Sequence, residues 1–263
     1  MDRGGVGKAQ CEEGNSTMKD FRIRCSSLSS VMADAVSYPR ESMSEIELEA
    51  LACKKRSPEQ IEILDAVMAR TLSAGAKTEI HRQVRYFLFN YEPPQLGSKE
   101  IRKGIMQEQS AIDLMTMVRG GIYEKNTERL RNEWISGEPD LIADDHGADT
   151  KCPWSLETFP LTVEHARKQA IAAGYDWQAR GYMMLTDCNR WSIDYCMVDT
   201  PSELLPPFED TGPHEISHIP LEKRITSVTF ERDLKIEERI KLKCAAAKNY
   251  ALELISQFEL EHC

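Results

Sequence analysis

No apolar run in the 263 residues approaches the roughly 20 that a helix needs to cross a bilayer, and no apolar segment opens the chain. Neither a spanning helix nor a secretory signal is expected, and the expected compartment is the cytoplasm. Cysteines at positions 11, 25, 53, 152, 188, 196, 244 and 263 form no C-x-x-C pair. That scatter excludes a zinc ribbon and a dense disulfide framework, leaving small core residues or reduced thiols. Positive charge is scarce too: 33 Lys and Arg stand against 43 Asp and Glu, a formal net charge of −10. A generally basic nucleic-acid binder is excluded, whereas a local basic channel inside an acidic protein is not. Internal repeats and low-complexity segments are absent. The run Gly4-Gly5-Val6-Gly7-Lys8 lacks the first glycine of a phosphate loop, a Ser or Thr after the lysine and a preceding strand, so it is no nucleotide site.

What is present reads as an aperiodic polar leader over 1–17, expected to be disordered, followed by one domain over 18–263 with a substantial core. Helices are expected over 44–56, 58–90, about 98–118, 155–173, 175–187 and 233–259. Strands are expected over 127–134, in two pieces within 137–151, and over 190–199 and 223–231, with a Pro-rich loop over 201–220. Ser57-Pro58-Glu59-Gln60 supplies a cap, a first-turn proline and a capping-box glutamine. Lys54, Lys55, Arg56, Arg82 and Arg85 either flank DNA or, as the default, lie on solvated helix faces.

The stretch GEPDLIADDHGADTK, residues 137–151, carries the chemistry. Alternation over 139–143 and 148–151, around Asp145-His146-Gly147, predicts two short strands and a turn. Side chains two apart on a strand share a face, so Asp149 and Lys151 align, and hairpin pairing brings Asp140 beside Asp149. Two carboxylates at one point repel unless a cation lies between them, and a hard divalent ion, Mg²⁺ or Mn²⁺, suits oxygen ligands. The neighbouring lysine does not ligate while charged, but it orients or helps deprotonate a water that attacks phosphorus. A bare D-x-K is also common on solvated surface hairpins.

Other segments offer candidates. Ile101, Ile105, Ile112 and Met115 fall on one helical face, and Glu108 occupies the same stripe where leucine is expected. Such a glutamate either faces the core, and then needs a cation, a hydrogen-bond network or a metal, or reaches water from the stripe's edge. Gln178 and Tyr182 share a helix face at i and i+4 with Tyr175 and Leu185, as a satisfied core pair or as part of a site. In 21–32, FRIRCSSLSSVM, an extended piece meets a helix start. Its serines either cap the helix or, with Arg24 and free N–H groups, form a phosphate site.

Taken in order, Glu108, Glu138-Pro139-Asp140, Asp149-Thr150-Lys151 and Gln178-x-x-x-Tyr182 resemble the PD-(D/E)XK nuclease superfamily, and within it the phage lambda-type (YqaJ-like) recombination exonucleases. Gly104-x-x-x-Glu108-x-x-Ala111, the nine-residue step from Asp140 to Asp149 and the trailing Cys152-Pro153 match in the same order, over about residues 20–255. The resemblance implies an α/β fold, a three-layer restriction-endonuclease-like core with a central mixed sheet flanked by helices. It implies that Glu108, Asp140, Asp149 and the Thr150 carbonyl hold Mg²⁺, with Mn²⁺ as a substitute, and that Lys151 handles the attacking water. Gln178 and Tyr182 would support the site or contact the DNA backbone, and Arg24 with Ser26 would hold a terminal 5′-phosphate. Asp149 stands where many relatives have Glu, which shortens its reach. The implied activity is digestion of linear double-stranded DNA, 5′ to 3′, leaving a single-stranded tail for recombination. The implied partners are DNA ends, a single-strand annealing protein and further copies of the chain in a ring-shaped trimer, with no membrane. The same metal site would serve an endonuclease or a single-strand nuclease. A non-catalytic recombination partner of this fold is the remaining alternative, and the intact Asp140, Asp149 and Lys151 argue against it. Relatives with an iron–sulfur cluster need four placed cysteines, which this scatter does not supply.

Overall fold

The computed structural model describes residues 21–91 and 97–262. The leader over 1–17 and the Pro93-Pro94 break lie outside the described residues. The described chain divides into two compact units, one of residues 21–23, 30–91 and 239–262, the other of 24–29 and 97–238.

The first unit is helical. Helices α1 (Leu28–Met32), α2 (Glu45–Ala52), α3 (Pro58–Arg70) and α4 (Ala74–Leu88) open the fold in chain order, and all but the first residues of α1 belong here. The capping box at Ser57 and Gln60 forms as expected, and Ser44 with Glu47 makes another. The single helix expected over 58–90 is two. Thr71 Oγ1 turns back onto the Val67 carbonyl at 2.7 Å, the Thr71 carbonyl accepts from the fully buried Lys243 ammonium, and Ser73 starts a new helix by capping Ala76 N–H. Local side-chain bonds there outcompete a continuous ladder.

In the second unit the strands are β1 (Ile23–Arg24, contributing Arg24), β2 (Leu130–Arg131), β3 (Ile135–Gly137), β4 (Leu141–Ile142), β5 (His146–Lys151), β6 (Arg190–Cys196) and β7 (Ile225–Glu231). Its helices are α5 (Lys99–Arg119), α6 (Val163–Ala172) and α7 (Tyr175–Thr186), and α8 (Leu234–His262) ends the described chain, passing into the first unit at Arg239. The main sheet runs β4-β5-β6-β7, with β5 and β6 parallel and the outer pairs antiparallel; the smaller sheet runs β1-β3-β2. Parallel neighbours need a crossover, which α6 and α7 provide. One face of the main sheet, with Leu141, Ala148 and Cys196, packs on Ala111, Ile112 and Met115 of α5. On the opposite face Trp191 packs against Tyr182 of α7, ring centroids 5.2 Å apart. The three-layer α/β arrangement implied by the motifs is the one observed.

Several boundaries differ from expectation for local reasons. The strand over 127–134 shrinks to β2, because Asn126 turns the chain at Glu128 N–H, and Asn132 Oδ1 accepts from both Trp134 N–H and Ile135 N–H to make a tight hairpin. The helix over 155–173 becomes a 3₁₀ turn, Leu156–Thr158, and then α6, restarted by the Thr162 cap. Gly174, at φ 75°, makes the expected break before α7. Gly147 lies beside Trp191 across the parallel ladder, and the indole ring fills the space that a Cβ at 147 would enter. Among the described cysteines, Cys25, Cys188, Cys196 and Cys244 are buried and form no disulfide, as the scatter suggested. No helix among the described residues is long and apolar enough to cross a membrane.

Candidate active site

The central hairpin forms in the expected register. Leu141 stands opposite Ala148, so one further step sets Asp140 beside Asp149. The turn falls earlier than expected, at 143–145, because Ala143 N–H already bonds the His146 carbonyl (3.0 Å) and His146 and Gly147 lie inside β5. Just before β4, Asp140 Oδ2 accepts from Thr150 N–H (2.7 Å) and Thr150 Oγ1–H (2.9 Å), which fixes that carboxylate against the end of β5.

Asp149 is 1% exposed and ion-pairs with Lys151, whose ammonium also lies 4.6 Å from the Tyr175 ring centroid. Burial pushes the Asp149 carboxyl up to about 7; Lys151 opposes the rise, and the charges of Asp140 and Glu108 add to it. Burial works against the proton on Lys151, but the charges of Asp149 and Asp140 override it, so Lys151 stays an ammonium. Three negative charges are therefore felt at one point, at the end of β5.

Glu108 differs from the expectation of a core-facing carboxylate. Its side chain is 22% exposed and bonds Lys125 Nζ at 2.6 Å, because the stripe it belongs to divides along α5. Ile112 and Met115 are fully buried, whereas Ile101 and Ile105 are 57% and 51% exposed and border a cleft of about 430 Å³. Glu108, Asp140, Thr150 and Lys151 line the same cleft. Among the described residues, no three acidic, imidazole or thiol groups form a ready-made metal cluster; Glu108 and Asp149 are each engaged by a lysine.

Gln178 Nε2 donates to Tyr182 Oη at 2.9 Å, and Tyr182 Oη donates to the Glu138 carbonyl at 3.2 Å. The pair braces the strand end that leads into Pro139-Asp140. Beside it, a smaller pocket of about 190 Å³ is lined by Arg24, Ser26, Arg129, Ser136, Glu138 and Tyr182. Close backbone approach builds it: a Cβ at Gly137 would meet Tyr182 at 2.6 Å and Cys25 Sγ at 2.9 Å, and one at Gly181 would meet Leu28 at 2.6 Å. Arg24 carries no side-chain cap bond to the 3₁₀ turn Cys25–Ser27.

A phage-related exonuclease from Haemophilus somnus 129PT is 31% identical to this chain and similar in structure, with a TM-score of 0.73 over 90% of this chain and 96% of its own. The chain belongs to that exonuclease family. Family membership accords with the lambda-type PD-(D/E)XK motif order read from the sequence. The alkaline exonuclease of Laribacter hongkongensis, solved also in complex with dAMP, shares the fold at 12% identity, with a TM-score of 0.56 over 95% of this chain and 97% of its own. No protein-family model matches the sequence, and no curated protein does.

Within this exonuclease-family chain, sequence reasoning missed Lys125, Arg129 and Ser136 as neighbours of the candidate residues, and it placed Tyr175 beside Gln178 without its contact to Lys151. Tyr175 was legible from its place one turn before Gln178. Lys125 sits in irregular backbone, where periodicity gives no direction for a side chain.

Proposed function

We propose that the chain is a Mg²⁺-dependent deoxyribonuclease that digests linear double-stranded DNA from the 5′ end and leaves a single-stranded tail for recombination. The observation that carries this reading is the convergence of Glu108 and Asp140 charge on the buried Asp149, itself paired with Lys151 at one end of β5, beside an open cleft that Glu108, Asp140 and Lys151 line, in a member of the exonuclease family. The donor set suits the ion: hard carboxylate oxygens with no sulfur or imidazole among them favour Mg²⁺ or Mn²⁺. Glu108, Asp140, Asp149 and the Thr150 carbonyl would hold it. Bound there, the cation would neutralise the clustered carboxylates and act as a Lewis acid toward the phosphodiester.

The chain's own groups do the rest. Lys151, held protonated, donates to the attacking water or to the charge growing on phosphorus. Tyr175 and Asp149 hold its ammonium in place. Tyr182 and Gln178 fix the approach to Asp140, and Arg24 and Ser26, with Arg129 and Ser136 across the pocket, supply donors for a terminal 5′-phosphate. The natural setting of this reading is a phage recombination reaction in the cytoplasm, alongside a single-strand annealing protein. Its assembly would be a ring of three copies with an acidic exterior, to which the net charge of −10 is suited.

Incubation with linear duplex labelled at either 5′ or 3′ termini, with Mg²⁺ or with EDTA, tests the proposal. The expected result is release of 5′ label first, abolished by EDTA and restored by Mg²⁺ or Mn²⁺, while Ca²⁺ supports little turnover. Cleavage that survives chelation would sink the metal site, and cutting of closed circular duplex would point to an endonuclease.

A further inference from the structure

Lys125 occupies a built position. Its Nζ lies 2.6 Å from Glu108 Oε2, yet it belongs to the irregular chain between α5 and β2, where a lysine would ordinarily sweep through solvent. The next residue prevents that. Asn126 N–H donates to the Asp140 carbonyl at 2.8 Å, and its Nδ2 donates to the Pro139 carbonyl at 2.9 Å and the Glu128 carbonyl at 2.8 Å. Asn126 thus clips the loop to the backbone of Pro139-Asp140, and the clip sets the Lys125 stem beside Glu108 and Asp140. The hydrogen bond to Glu108 sets the ammonium in the field of the Glu108, Asp140 and Glu138 carboxylates.

Building on the metal-dependent reading above, we infer that Lys125 is a resident counter-cation of the Glu108–Asp140 pair that competes with a divalent ion for the Glu108 carboxylate. The ammonium and the ion claim the same oxygens, so binding of one weakens binding of the other. A Lys125 side chain 39% exposed makes a screened pair of modest strength, so the competition tunes metal affinity without blocking it. Asn126 is the positioning residue, since it keeps the competitor within reach whatever the ion does.

Calorimetric titration of Mn²⁺ into the wild-type protein, Lys125→Met, Lys125→Arg and Glu108→Gln tests the inference, with thermal melting in EDTA and in Mn²⁺ as a second readout. Lys125→Met is expected to bind Mn²⁺ more tightly by up to about fivefold, the range expected for losing one exposed ion pair. Lys125→Arg should stay near wild type, and added KCl should narrow the gap because the pair is screened. The rise in melting temperature on adding Mn²⁺ should be larger for Lys125→Met than for the wild type. Unchanged or weaker Mn²⁺ binding in Lys125→Met, with Glu108→Gln clearly weakened, overturns the role of Lys125 and leaves the metal site standing. No Mn²⁺ binding by any of the four proteins overturns both.

Discussion

Replacing Lys103 with methionine should change how stability depends on pH. Lys103 lies on α5 and is only 2% exposed; its Nζ donates to the carbonyls of Pro153 (2.7 Å) and Trp154 (3.1 Å), directly after the Lys151 strand. Burial pulls its pKa down to about 8 from the ordinary 10.5, against the upward pull of Cys152 and Asp199. Below pH 8 the lysine is charged in folded and unfolded chains alike, and the folded chain bears the whole desolvation penalty, about 3–4 kcal/mol at ~1.4 kcal/mol per pH unit. Between about 8 and 10.5 the folded protein has shed that proton while the unfolded chain keeps its own. The unfolded state then binds more protons, so this group's contribution to stability rises with pH. Linkage gives a gain of about 2 kcal/mol from pH 7 to pH 9.5. Methionine fills similar space without a charge, and the Trp154 carbonyl keeps its bond from Thr200 Oγ1 at 2.9 Å. The bond lost at Pro153 adds an offset that does not vary with pH. Urea unfolding of both proteins, followed by tryptophan fluorescence, should therefore show the wild type gaining on Lys103→Met by about 2 kcal/mol across that interval. Parallel profiles would refute the argument that a buried ammonium holds this turn.

Lys151→Ala should lower turnover by a factor on the order of 10² to 10⁴ while Mn²⁺ still binds, whereas Glu108→Ala should weaken Mn²⁺ binding itself; calorimetry beside a nuclease assay separates the two. A 5′-phosphorylated duplex should be degraded faster than a 5′-hydroxyl one, and Arg24→Ala should erase the difference; equal wild-type rates on the two ends would leave the small pocket without this role. Gly181→Ala would drive a Cβ to 2.6 Å from Leu28 and 2.9 Å from Cys25 Sγ, lowering stability by about 1–3 kcal/mol, read as a lower urea midpoint. Tyr182→Phe removes the hydroxyl between Gln178 and the Glu138 carbonyl and should destabilise by about 1–2 kcal/mol; an unchanged midpoint would mean the brace is not needed.

The hairpin was legible because a two-residue period carries its own geometry: once Asp149 and Lys151 share a face, the pairing partner at 140 follows. The Gln178–Tyr182 contact was legible for the same reason on a helix. Periodicity failed where one stripe serves two environments, as along α5, where Ile112 meets the core and Ile101 borders the cleft. It failed again at 71–73, where the decisive donor to the Thr71 carbonyl, Lys243, comes from far along the sequence. Lys125 and Arg129 acquire their neighbours only through the fold, since aperiodic backbone says nothing about where a flexible cation points.

The contact between Gly147 and Trp191 has a consequence for how such chains diversify. The two residues are partners on neighbouring parallel strands, and the indole, itself tilted against Tyr182, takes the volume of any side chain at 147. Neither position drifts alone: a larger residue at 147 collides with the ring, and a smaller one at 191 opens a void under Tyr182. Homologous lineages are therefore expected to change the two together, through intermediates of reduced fitness, so that this small junction acts as one inherited unit.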